Sequence, residues 1–210
     1  MIKKEELFAG IVLVAVVIAG RLLPHAWNAT PVIGASIVAG WYVSKRMVVG
    51  VPLVAMLVAD AILGFYEWPL MLTVYGSFVA VGLVSYALRR WKRMDVAVLT
   101  SVFGSTIFFL VTNAAVWMFT PWYDKTFAGL LHCYLLAVPF YRNGLVGDAL
   151  WTMGLVLAAE MVCVLWQRDF LRAILSREDN SLSSLYVRVP LFQKISIHQT
   201  REVPAEQSHG

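Results

Sequence analysis

The sequence predicts an all-α membrane protein, a bundle of six transmembrane helices with one further short helix lying at, or re-entering from, the outer interface. Three observations carry this expectation. Hydrophobic residues make up 60% of the 210 and charged residues only 14%, with a mean hydropathy of +0.71, a balance that soluble domains do not show. Apolar runs recur at 7–23, 31–43, 47–64, 69–88, 96–119 and 144–166, and roughly 20 helical residues cross the hydrocarbon core. Basic residues, finally, fall in alternate loops.

The first run follows a charged start and ends in small residues, which resembles a secretory signal. Glu5 and Glu6 dilute that start, and Arg21-Leu22-Leu23 reads as the end of a retained helix. The second run, 31–43, is short for a span and calls for a thinned bilayer, a polar mouth or helical continuation into its flanks. The stretch 126–140 is apolar but also too short for an easy crossing. Were it a span, Arg168, Arg172 and Arg177 would fall outside, so it is expected as the outer interfacial or re-entrant helix, capped by Asp124 or Thr126 and disrupted near its end by Pro139.

Lys3 and Lys4, Lys45 and Arg46, the Arg89–Arg93 cluster, and Arg168, Arg172 and Arg177 alternate with loops holding only Lys125 and Arg142. Six spans place every basic cluster inside and both termini in the cytoplasm. Residues 1–175 form the transmembrane domain, and 176–210, polar and without helical periodicity, a flexible cytoplasmic tail. The net charge of +4 suits anionic lipid headgroups, and no basic stripe calls for nucleic acid. Cys133 and Cys163 lack metal-ligand spacing and read as packing residues; no metal or cofactor is expected. Small residues recur in Ala15-x-x-x-Ala19 and Ala35-x-x-x-Ala39, spacings that let helices approach closely. Trp27, Trp41, Tyr42, Tyr66, Trp68, Trp91, Trp117, Trp122 and Tyr123 lie near helix ends, mostly as interfacial anchors.

With orientation set, Arg21, Asn28, Asp60, Asn113, Arg142 and Asp148 all fall at the outer level. Uncompensated charge in hydrocarbon costs several kcal/mol, so these groups are expected to face one another. Ser101, Ser105 and Thr112 form one helical stripe, and Thr106 and Asn113 the adjacent one. Each residue has a plainer role beside a substrate-binding one. Asp148 would complement a helix dipole or pair with Arg142, Arg21 would snorkel or bridge to Asp60, and Asn113 would clamp helices. His132 reads as packed or interfacial, and Glu160, in the inner half, as an ion site or a partner-facing residue.

RLLPHAWNATPVIGA at 21–35, the membrane Asp60, TNAAVW at 112–117 and the 122–151 run containing PFYRNGLVGD resemble an uncharacterised family of small bacterial six-helix membrane proteins. The resemblance covers about residues 7–165 and implies the bacterial inner membrane. The layout is similar to the substrate-binding S components of energy-coupling-factor transporters, which implies an outward pocket. Ala15-x-x-x-Ala19 would then be a docking motif for transporter partners, an ATPase among them, since the chain has no phosphate-binding loop. The short second run and the 126–140 helix depart from that layout. A small-molecule binding or uptake component is the leading expectation. The alternatives are a structural or assembly subunit, and a membrane enzyme using Asp60, His132 and Asp148; no catalytic residue is assigned.

Overall fold

The computed structural model describes residues 4–24 and 28–175, with side chains described up to Arg168. The tail expected at 176–210, and Trp27, lie outside the described residues. Six α-helices appear in order among those described: α1 (Lys4–Leu22), α2 (Val32–Tyr42), α3 (Lys45–Leu63), α4 (Trp68–Leu88), α5 (Met94–Phe119) and α6 (Phe127–Leu175), with a single 3-10 turn at Arg89–Trp91. Four of the helical segments, Lys45–Leu63, Trp68–Trp91, Met94–Phe119 and Phe127–Arg168, are long and apolar enough to cross a membrane.

The shortness of the second run has its own explanation. At about 16 Å, α2 is the bundle's central helix: every residue from Val32 to Trp41 is buried, and α2 touches each of the other five α-helices. Enclosed in this way, it need not match the thickness of a bilayer. Close approach is made possible by two glycines. A Cβ on Gly34 would lie 2.9 Å from the Thr152 backbone nitrogen on α6, and one on Gly40 would lie 2.7 Å from the Gly82 carbonyl oxygen on α4. Ser85 adds an interhelical bond, its hydroxyl donating to the Ile37 carbonyl at 2.9 Å. Trp41, expected as an interfacial anchor, is buried instead, whereas Trp68, Trp91 and Trp122 are exposed near helix ends.

Around α2 the packing is that of a core, with Val17, Ile33, Ile37, Val48, Val51, Met56 and Val156 almost wholly buried. The outside carries large apolar side chains, among them Leu57, Leu72, Phe103, Leu150 and Met161. Ala35 and Ala39 lie in the buried face of α2. Ala15 and Ala19 are exposed on α1, which packs through Gly10, Leu13, Val17 and Gly20.

One expectation is corrected. The short helix at 126–140 and the span at 144–166 are a single helix, α6, of 49 residues. Thr126 does cap it, accepting from the Gly129 amide at 3.1 Å, but Pro139 lies inside it without ending it. Proline deprives the Leu135 carbonyl of a helical donor, yet α5 holds α6 on both sides of that position. Tyr134 donates to the Leu110 carbonyl at 2.6 Å, Tyr141 and Thr106 share a 2.9 Å hydroxyl contact, and Ser105 reaches Asp148. Tertiary packing over this length outweighs one missing backbone bond and the weak helix formers Asn143 and Gly144. Asp148 therefore sits in mid-helix, where it has no helix start to complement.

Candidate functional site

The helix ends that carry Lys45, Arg46 and Arg89–Arg93 define a basic end of the bundle. Toward the opposite end, α1, α2, α4, α5 and α6 enclose a cavity of about 230 Å³. Its wall includes Arg21, Asn28, Asn113 and Asp148, with Thr30, Ser105, Thr112 and Tyr141 as further polar groups and Phe78, Phe108, Phe109 and Phe140 as aromatic ones. Phe78 stacks on Phe108 with centroids 4.9 Å apart, and Phe109 lies against Tyr141 at 4.6 Å. α5 reaches the cavity through Ser105, Phe108, Phe109, Thr112 and Asn113, spacings of three, four and seven that keep one helical face.

Arg21 is held from behind the wall. Its Nη2 donates to Asp60 Oδ1 at 2.5 Å and its Nη1 contacts the Met56 sulfur at 3.2 Å, while Tyr75 donates to Asp60 Oδ2 at 2.7 Å. Asp60, 1% exposed, thus has both oxygens engaged and is not on the cavity wall. The Arg21 Nε–H is buried without a partner. Tyr75 went unnoticed in the sequence. Its signal is a tyrosine two turns inside α4, where a hydroxyl away from a helix end needs a polar partner.

Asp148 is 6% exposed and takes a 2.7 Å bond from the Ser105 hydroxyl. That hydroxyl also lies 2.9 Å from the Ser101 carbonyl, so its single proton is contested. Arg142 does not pair with Asp148. Ala137, Tyr141, Gly144, Leu145 and Asp148 share the cavity face of α6, and Arg142, about 100° round from Tyr141, is exposed and off the wall. Asn28, with φ of 63°, lies exposed on the wall beside Gly144; asparagine tolerates this left-handed conformation better than most residues.

Asn113 answers its own polarity in part: its amide donates to the Phe109 carbonyl one turn back at 2.8 Å. Thr100, Thr106, Thr112 and Thr120 bond their own helix in the same way, which lets α5 carry polar side chains without a second helix for each. Losing the Asn113 bond is therefore expected to cost only about 1 kcal/mol, so Asn113→Ala should fold with nearly wild-type thermal stability.

His132 is exposed on α6, edge-on to Tyr123 at 5.9 Å, and is not on the cavity wall. Among the described residues no three His, Cys, Asp or Glu side chains gather as a metal site. A second polar group lies toward the basic end. Glu160 is buried and accepts from the Tyr42 hydroxyl, and its other oxygen is buried without a partner. Lys92 lies 4.0 Å from the Tyr42 ring, and burial pushes the pKa of its ammonium down. Tyr42→Phe leaves a buried carboxylate with no side-chain donor. It is expected to cost about 1–3 kcal/mol, read as a lower unfolding midpoint in detergent.

A helical bundle whose apolar surface faces outward and whose polar groups line an internal cavity defines the class: an all-α protein with, among the described residues, four helices long and apolar enough to cross a membrane. Over residues 2–171 the chain matches the model of a family of unknown function, DUF6580, and it belongs to that family. No curated protein and no solved structure matches it.

Proposed function

We propose that the protein is an integral membrane component that binds a small molecule in the cavity opposite its basic end, for uptake. The carrying observation is that Arg21 and Asn28, Asn113, and Asp148, polar residues from three separate stretches of the chain, line one cavity with aromatic walls. Buried polar groups in an apolar bundle are costly unless they serve each other or a ligand. At about 230 Å³ the cavity is smaller than the ~300–1,000 Å³ clefts of drug-sized ligands, which favours a small substrate.

Membrane residence is supported by the exposed apolar side chains on the long helices and by four segments of sufficient length. The basic end faces the cytoplasm by the positive-inside rule, so the cavity faces outward in the bacterial inner membrane. Energy for uptake would come from a partner, and the exposed Ala15 and Ala19 on α1 suit a transporter subunit that includes or recruits an ATPase. A structural role has one observation in its favour: Asp60 is fully committed to Arg21 and Tyr75.

A thermal-shift screen of vitamins, amino acids, nucleotides and metal ions on purified protein tests the proposal, run in parallel on Asn113→Ala and Asn113→Asp. At least one compound is expected to raise the unfolding midpoint of the wild type and to do so less in the variants. No shift with any compound, together with impaired folding of both variants, would favour the structural role.

A further inference from the structure

Arg21 and Asp148 are the charged residues of the cavity wall, and Asp60 behind it makes the sum one more negative charge than positive. Arg21 is neutralised by Asp60 through the 2.5 Å ion pair. Asp148 has no such counterpart: the ion pairs among the described residues are Arg21–Asp60 and Arg93–Asp95, and the hydrogen bond to Asp148 comes from the neutral Ser105 hydroxyl. Arg142, six residues before it on α6, is exposed and off the cavity wall. A carboxyl group 6% exposed, beside a cavity whose one cation is already paired, carries its charge at a cost that a cationic ligand would relieve.

What surrounds it fits one kind of partner. Phe78, Phe108, Phe109 and Tyr141 line the same cavity, and the faces of aromatic rings attract cations that have shed water. An anionic ligand would meet Asp148 unfavourably and find Arg21 already paired. A neutral ligand would leave Asp148 as it was.

From this juxtaposition of an unpaired buried carboxylate with aromatic walls we infer that the cavity selects a small organic cation, an amine or quaternary ammonium whose charge is held by Asp148 and whose body packs on the α4 and α5 phenylalanines. The inference rests on the binding role proposed above. Asn113 and Thr112, also on the wall, hold the polar remainder of such a ligand, and Asn28 lies exposed on the same wall.

Equilibrium binding of matched probes tests it: 2-phenylethylamine, the uncharged 2-phenylethanol, the anionic 3-phenylpropanoate, and tetramethylammonium. The amine is expected to bind at least tenfold more tightly than the alcohol, with the carboxylate weakest. Asp148→Asn should abolish the preference for the amine. Arg142→Gln, at an exposed position off the wall, should retain it, and cooperative unfolding of Asp148→Asn in detergent guards against a variant that merely misfolds. Equal binding of amine and alcohol, tighter binding of 3-phenylpropanoate, or a preference indifferent to Asp148→Asn overturns the cationic class. If the vitamin and nucleotide screen still yields a ligand in any of those cases, the cavity's binding role survives; if neither the probes nor the screen binds, both fail together.

Discussion

Asp60→Ala is expected to destabilise the protein by about 3–5 kcal/mol, because removing one member of a buried ion pair leaves the other charge uncompensated. Arg21 would keep only the Met56 sulfur contact, with its Nε–H already without a partner, and the Tyr75 hydroxyl would lose its acceptor. Chemical unfolding in detergent measures the loss. Replacing both ion-pair partners by apolar residues, Arg21→Met with Asp60→Leu, should recover much of it, since no buried charge then remains. A single Asp60→Ala variant as stable as the wild type would mean that this pair does not join α1 to α3.

Gly40→Val is the second large effect. The new side chain would start 2.7 Å from the Gly82 carbonyl and 2.8 Å from the Tyr86 nitrogen. Backbone, unlike a flexible side chain, cannot step aside, so α2 and α4 must separate. Overpacking of this kind costs about 1–3 kcal/mol or more, and the Ser85 bond to Ile37 stretches with it. Gly76→Ala is the control: it too lies in α4, with nothing within 4 Å of its added Cβ, and replacing a helical glycine there should be neutral or stabilising by up to about 1 kcal/mol. Comparable losses in both would contradict α2's place at the centre of the bundle.

Much of the architecture was legible because helix-forming apolar runs announce themselves by length. The helices α3, α4 and α5 begin and end within two residues of the runs at 47–64, 69–88 and 96–119. What failed was continuity. Arg142, Asn143 and Gly144 look like a loop in a hydropathy trace, and only the contacts from α5 to Tyr134, Tyr141 and Asp148 show why the helix passes through them. The role of the 31–43 run was equally invisible, since a short apolar segment gives no sign of whether it faces lipid or protein, and its ten buried residues answer that.

For the site, depth along the helices was readable and direction around them was not. Counting residues from the helix ends placed Arg21, Asn28, Asp60, Asn113, Arg142 and Asp148 at one level. The rotation of α6 takes Arg142 off the cavity wall, and Tyr75 draws Asp60 behind it. Asn113 carried a strong polar signal in α5, yet one of its two N–H donors is spent on its own helix, a local solution that a sequence pattern cannot distinguish from a contact across helices.

The most direct measurement of the central claim, that this cavity holds a small molecule, is a titration of the best compound from the thermal-shift screen into purified wild type and into Ala137→Trp. Ala137 lies on the cavity wall, and an indole there would occupy the space a ligand needs. Saturable one-to-one binding to the wild type, reduced at least tenfold in a variant that still unfolds cooperatively, is the expected result. Binding that persists unchanged when the cavity is filled would contradict the claim.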